Sequence, residues 1–342
     1  MPHTPLLSNT RVHAYAALAA AQALQLWGYE PGPLGSNEVE LAITHCGLCH
    51  GDLHLIDNDL GISTYPLVPG HEVIGTISAM GDRVNGFVLG QRVGVGWQRG
   101  SCNECEWCLQ GLQNLCPSAR PTAVAGYGGF ADRLRVDYRF AVLIPDALDS
   151  ATAAPLLCAG ITVYAPLSRL VHPASRVGVI GIGGLGHLAL QFARAMGAEV
   201  FAFSTSPNKE QEAQQFGAHH FVVSADMAQM KHVSASLDLL LATASANLDW
   251  NMWLGTLRPN GTVCLVGASP APVSLPVLPM ILRQLSLAGS VVGAPHQIAE
   301  MLHFAALHKV RTAAEVLPMD EVNLAVEKLR RNQARYRLVL AA

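Results

Sequence analysis

The chain has 342 residues, enough for about two domains, with a net charge of -3 and a sequence pI near 6.5. That balance excludes the basic footprint of a nucleic-acid-binding protein. Only 14% of residues are charged, against about 25% in an average soluble protein, and mean hydropathy is +0.28. A chain so poor in charge is expected to bury much of its surface, in part against another copy of itself.

Residues Ala14 to Leu26 (AYAALAAAQALQL) resemble the apolar part of a signal peptide. They lack a basic cluster ahead of them and are interrupted by Gln22 and Gln25. No run reaches the roughly 18 uninterrupted apolar residues of a membrane span. Eight cysteines without a secretory signature point to a reducing, cytoplasmic compartment and to metal chemistry rather than disulfides. The alanine-rich stretch Ala16 to Leu26 has helical propensity.

From Glu38 to Asp149, short apolar runs (Val39 to Thr44, Val73 to Ala79, Arg92 to Gly96) alternate with turns at Pro69-Gly70, Gly81-Asp82 and Asn85-Gly86. This is the punctuation of a β-rich, barrel-like domain. Within it, Cys102, Cys105, Cys108 and Cys116 form a C-x2-C-x2-C-x7-C run, a spacing that closes a tetrahedral zinc shell from one loop. Cys49-His50-Gly51-Asp52 and Gly70-His71-Glu72 stand at the ends of expected strands, and Cys158 stands where the rhythm changes. A catalytic zinc needs about three protein ligands and one open position; Cys49, His71 and Cys158 offer two thiolates and one imidazole from three remote segments, a set that sequence spacing alone does not assemble.

After Pro155 strands alternate with helices: strand Val177 to Ile182, helix Leu185 to Met196, strand Glu199 to Phe203, helix Asn208 to Phe216, and strands His220 to Val223 and Leu237 to Thr243. A helix Leu248 to Leu257 and strands Thr262 to Val266 and Leu285 to Gly289 follow. Such βαβ units give a doubly wound parallel sheet, an α/β fold. Beyond Gly293 come a helix from Pro295, a strand Glu315 to Leu317, a helix from Asp320 and a strand Arg337 to Leu340.

The sequence Gly181-Ile182-Gly183-Gly184-Leu185-Gly186 matches G-x-G-x-x-G between a strand and a helix, the context in which it binds a dinucleotide pyrophosphate. The second strand ends in Ser204-Thr205-Ser206-Pro207-Asn208-Lys209, where NAD-binding chains usually carry an acid. Hydroxyls and Lys209 favour the 2′-phosphate of NADP(H); the alternative is that Ser204 and Ser206 only shape a turn and cap the next helix.

The motifs CGLCHGDLH (46–54), YPLVPGHEVIG (65–75), the four-cysteine run, APLLCAGITVY (154–164), GVIGIGGLGH (178–187), STSPNK (204–209) and RYRLVL (335–340) lie in the order found in zinc-dependent medium-chain dehydrogenases. The chain resembles the cinnamyl-alcohol-dehydrogenase-like group, and within it bacterial NADPH-dependent aldehyde reductases. The resemblance implies a GroES-like β-barrel catalytic domain (1–150, completed by 294–342) and a Rossmann domain (151–293), assembled as a homodimer or tetramer. It implies two zincs per chain. Cys49, His71 and Cys158 would hold the catalytic one, with Glu72 as an exchangeable ligand and Asp52 holding their geometry. Cys102, Cys105, Cys108 and Cys116 would hold the structural one.

By the same resemblance, Thr162 and Arg337 join the cofactor residues, and Leu60, Trp97, Val291 and Val292 line an apolar pocket for an aldehyde or alcohol. The implied reaction is hydride transfer between NADPH and an aldehyde, with His54 in the proton path. Cys46 and Cys264 read as core residues. Two departures stand out. Relatives carry Thr or Ser where this chain has Gly51, and the tail up to Arg11 with the alanine-rich stretch replaces plain strands. Cinnamyl alcohol dehydrogenation, a mainly oxidative NADP-linked alcohol dehydrogenase and a non-catalytic nucleotide-binding protein remain open alternatives.

Overall fold

The computed structural model describes residues 11–244, 247–267 and 272–342. These divide into one unit made of the chain up to Leu157 together with Ala314–Ala342, and a second made of Cys158–Ala313.

The first unit is built on a sheet in the order Ala314–Pro318, Arg337–Ala341, Glu38–Leu48, Val73–Met80, Arg92–Val95, Val142–Leu143, and Arg133–Asp137 also pairs with Glu38–Leu48. The C-terminal strand therefore lies beside the central one, with Leu340 opposite Cys46 and Cys46 opposite Val73. Val39, Leu41, Val73, Val93 and Leu340 are fully buried in its core. Cys46 is buried there too.

The alanine-rich stretch is not helical. Val12–Ala16 and Gln25–Tyr29 form an antiparallel pair, with Ala16 opposite Gln25. Backbone pairing overrides propensity: Tyr15 N–H donates to Phe130 O, and Ala17 and Leu67 exchange hydrogen bonds. Ala14, Ala16 and Ala17 are buried because only small side chains fit this close approach. The ends of this stretch therefore lie in plain strands, a correction of that expectation, while residues 18–24 form the irregular turn between them; the tail before Arg11 lies outside the described residues.

The second unit holds a six-stranded parallel sheet in the order His220–Val223, Glu199–Ser204, Arg176–Ile180, Leu237–Ala242, Leu257–Leu265, Ser286–Gly289. Strand order reverses at Arg176–Ile180, the switch point at which open α/β sheets bind ligands. The boundary expected at 294 falls later. Helix Pro295–His308 belongs to the second unit, where Tyr164 Oη donates to Glu300 Oε1 at 2.8 Å and the Tyr164 and Phe304 rings lie 5.5 Å apart.

One helical segment, Ser150–Leu170, is long and apolar enough to cross a membrane, but 78% of its apolar window is buried inside the protein, as in a core helix. It passes through an irregular π-helical turn at Leu156–Gly160 that contains Cys158.

Candidate metal centres and nucleotide site

None of the eight cysteines is in a disulfide. Cys102, Cys105, Cys108 and Cys116 bring their sulfurs within 4.8 Å of one another. Bonds of about 2.3 Å in a tetrahedron place sulfurs roughly 3.8 Å apart. The Cys102–Cys108 and Cys102–Cys116 separations are 3.8 and 3.5 Å, so the loop is shaped for zinc without a disulfide.

The second cluster starts from a helix, His50–Asp57, that the sequence pattern did not reveal. Cys49 is its N-cap: Gly51 N–H donates to Cys49 Sγ at 3.2 Å, and Cys49 N–H donates to Asp52 Oδ2 at 3.0 Å. The sulfur therefore substitutes for the usual capping oxygen. Asp52 is fully buried, and its Oδ1 accepts from Gly70 N–H at 2.9 Å and from His71 Nδ1 at 3.0 Å. With the His71 proton held on Nδ1 by the carboxylate, Nε2 presents a lone pair, 3.1 Å from Cys49 Sγ. Glu72 contributes a third donor within 4.8 Å.

Glu72 is fully buried; Oε1 accepts from Arg337 Nη2, and Oε2 has no hydrogen-bond partner among the described residues. Burial pushes its carboxyl up to about 7, against the opposing pull of Arg337. Gly47 makes room for it, because a Cβ there would stand 1.9 Å from Glu72 Oε2. An orphaned buried carboxylate oxygen beside a thiol and an oriented imidazole is a donor set that suits a divalent cation. Arg337, expected at a cofactor phosphate, is 6% exposed and bonded to Glu72. Cys158 is half-buried, the first residue of the second unit.

His54 lies one turn along the same helix, with Nδ1 2.8 Å from Asp59 Oδ2. Asp59 was missed by sequence reasoning; its spacing of five from His54 carries no motif. Trp97 sets its ring edge-on to His71 at 5.0 Å, and Leu60 is 53% exposed. Val291 and Val292 belong to the second unit, where Val292 takes a positive φ of 30°, uncommon for a branched residue.

In the second unit the glycine turn and the second-strand end line one cavity of about 330 Å³. Gly181 has φ +88°, and Thr243 Oγ1 donates to Ile180 O at 2.8 Å and to Gly181 O at 3.1 Å, pinning the turn. A Cβ on Gly186 would meet Gly181 O at 1.9 Å, while one on Gly183 would meet nothing within 4 Å. Gly186 thus permits close packing and Gly183 leaves backbone open for a ligand. Gly184 and Leu185 lead into helix Gly186–Ala195.

Ser204 Oγ accepts from Ser206 N–H at 3.0 Å, Lys209 Nζ donates to Ile182 O at 2.7 Å, and Thr205 is exposed. The described residues lining this cavity include no Asp or Glu, and Ser224 and Thr243 join those expected. Thr162 is buried in helix Ile161–Leu170, and Cys264 in strand Leu257–Leu265.

Comparison with known proteins agrees with this geometry. Residues 35–146 match the alcohol dehydrogenase GroES-like domain, and residues 184–306 match the zinc-binding dehydrogenase domain. The aldehyde reductase AdhA of Synechocystis sp. is 45% identical over 331 residues, covering 96% of this chain and 98% of the relative. A Sorghum bicolor cinnamyl alcohol dehydrogenase structure is 40% identical with a TM-score of 0.93, covering 97% of this chain and 98% of that one. A Helicobacter pylori CAD structure complexed with NADP(H) is 29% identical with a TM-score of 0.89, at 97% and 98% coverage. The chain belongs to the zinc-binding alcohol dehydrogenase family, with a GroES-like domain and a Rossmann-type domain.

Proposed function

We propose that the chain is an NADPH-dependent aldehyde reductase with a catalytic zinc held by Cys49, His71 and Cys158 and a structural zinc held by Cys102, Cys105, Cys108 and Cys116. The observation that carries the reading is the buried Asp52–His71–Cys49 array, which fixes one imidazole tautomer and aims its lone pair at a thiol. When bound, zinc supplies Lewis-acid polarisation of a carbonyl and NADPH supplies the hydride. Asp52 keeps the ligand geometry, Glu72 is an exchangeable ligand, and the glycine turn with the N-terminus of helix Gly186–Ala195 holds a pyrophosphate. Ser204, Thr205, Ser206 and Lys209 receive the 2′-phosphate, with Thr162 and Arg337 as further cofactor contacts. Leu60, Trp97, Val291 and Val292 offer apolar surface to the aldehyde. His54, held at Nδ1 by Asp59, passes a proton to the product oxygen through Nε2 and water.

The test is NADPH and NADH oxidation by zinc-loaded protein with hexanal, benzaldehyde and cinnamaldehyde. Turnover with a strong NADPH preference is the expected result. Equal rates with NADH would overturn the cofactor assignment, and no turnover with two zincs bound would favour a non-catalytic nucleotide-binding protein.

Gly51 bears on the same proton path. A Cβ at this position would lie 3.2 Å from both Cys49 Sγ and His71 Cε1, so any side chain requires a shift of a few tenths of an ångström. Gly51→Ser restores a hydroxyl with the least crowding. It is expected to raise kcat by about three- to tenfold and shrink the solvent deuterium isotope effect. An unchanged kcat would mean that proton delivery does not limit turnover.

The reading also makes the chain a cytoplasmic homodimer. Val277, Leu278, Ile281 and Leu282 are 64–73% exposed on helix Val277–Leu282, and Ser286–Gly289 ends the described strand order as an open edge. Such an edge beside an apolar patch is self-complementary about a two-fold axis. A monomer by light scattering at micromolar concentration would remove this part.

A further inference from the structure

Helix His50–Asp57 is tied down at its far end by groups that belong to neither the metal nor the nucleotide site. Its last residue, Asp57, takes both guanidinium Nη groups of Arg330, Nη1 to Oδ2 at 2.6 Å and Nη2 to Oδ1 at 2.6 Å. Arg330 ends helix Val322–Arg330. Beside this clamp Ile56 O accepts from Ala21 N–H at 2.9 Å, and Leu24 and Asn323 exchange hydrogen bonds of 2.9 and 2.8 Å. The alanine-rich stretch thus bridges the two helices.

Between these tethers lies a cavity of about 300 Å³ lined by Ala21, Leu24, Ile56, Asn323, Val326 and Arg330. Close packing normally fixes an element in place. Of this helix only Ile56 lines the cavity, and Ile56 is 1% exposed, so close packing holds the helix body while the polar tethers hold its last turn.

What this end of the helix carries is the His54–Asp59 pair. Asp57 is followed by Asn58 in a left-handed conformation (φ 55°) and then by Asp59, whose Oδ2 lies 2.8 Å from His54 Nδ1. A sharp turn of one residue passes any shift of Asp57 on to Asp59. We propose that Arg330, acting through Asp57, is a positioning residue for the His54–Asp59 pair and hence for proton delivery, an inference that rests on the reductase reading above. The clamp is about one-third exposed (35% at Arg330 and 27% at Asp57), so it adds little to stability. Its effect falls on geometry, where a displacement of about 1 Å can cost up to about a hundredfold in rate. Ser63, whose N–H donates to Asn58 Oδ1 at 3.0 Å and whose Oγ donates to Leu55 O at 2.7 Å, limits that displacement.

The test compares zinc-loaded wild type with Arg330→Met, which keeps bulk and loses the fork, and Arg330→Lys, which keeps one contact. Arg331→Gln, which breaks the surface pair with Glu327 on the same segment, is the control. Arg330→Met is expected to lower kcat about tenfold, leave both KM values within about twofold, and enlarge the solvent isotope effect. Arg330→Lys should recover part of the loss, and Arg331→Gln should change nothing. In substrate-free protein the His54 ring resonances, read through the non-exchanging Cε1–H and identified by their loss in His54→Asn, should report one Nδ1–H tautomer in wild type and shift toward the free-imidazole mixture in Arg330→Met. Unchanged kcat, isotope effect and resonance in Arg330→Met, with an active wild type, would overturn the inference. So would a loss of rate that follows the unfolded fraction and is not recovered by lysine. An inactive wild type would instead overturn the reductase reading, while the His54 resonance would still report on the clamp.

Discussion

Cys49→Ala is expected to lower aldehyde reduction by at least about a thousandfold and to leave one zinc per chain by metal analysis. Lewis-acid polarisation is worth several kcal/mol of transition-state stabilisation, and each 1.36 kcal/mol is a factor of about ten in rate. The fold should survive. The substitution removes a helix cap, worth about 1 kcal/mol, from a domain whose total stability is about 5–15 kcal/mol. Cys102, Cys105, Cys108 and Cys116 sit on a separate loop and keep their own shell. Asp52→Asn is the graded companion. It preserves shape, but the new amide nitrogen must face either Cys49 N–H or both Gly70 N–H and His71 Nδ1. A loss of about 10- to 100-fold in metal affinity or turnover follows from disturbing such a supporting carboxylate. Full activity in Cys49→Ala, or two zincs retained, would remove Cys49 from the site.

The parts of this protein that could be read directly are those whose partners are neighbours in sequence. The four-cysteine run and the turn Gly181–Gly186 each place their chemistry within one loop, and the structure assembles both locally. Cys49 and His71 are 22 residues apart, and only the resemblance joined them before geometry brought Nε2 to Sγ. What could not be read depends on tertiary contacts. Asp59 and Arg330 belong to no motif, and Arg330 reaches Asp57 across 273 residues. Gly47 is one glycine among many until Glu72 Oε2 is seen in the space a Cβ would fill. Alanine propensity at Ala14–Ala17 lost to backbone pairing with Phe130 and Leu67. Helix Pro295–His308 has the same apolar pattern whichever unit it packs on, so only contacts such as Tyr164–Glu300 decide its domain.

Ser204→Asp is expected to reverse cofactor choice, cutting kcat/KM with NADPH by about 100- to 1,000-fold while raising it with NADH. Ser204 is the last residue of strand Glu199–Ser204 and is 7% exposed, beside the cavity that holds the glycine turn. On the proposed cofactor assignment a carboxylate there would face the 2′-phosphate, and placing like charges together costs several kcal/mol. The lost hydrogen bond to a charged group adds about 1.5–3 kcal/mol. The same carboxylate is the usual acceptor for the ribose 2′-hydroxyl of NADH. The turn keeps one of its two bonds, because an Asp oxygen can accept from Ser206 N–H as Ser204 Oγ does at 3.0 Å, whereas the bond Ser204 Oγ donates to Ser206 O at 3.2 Å is lost. Lys209→Gln removes one charge whose Nζ is anchored on Ile182 O, so its expected loss with NADPH is smaller, about tenfold, with NADH little changed. Steady-state rates with both cofactors separate the two contributions. If Ser204→Asp kept its NADPH preference while Lys209→Gln lost it, discrimination would belong to the lysine, and Ser204 would be left with its two turn-forming bonds to Ser206.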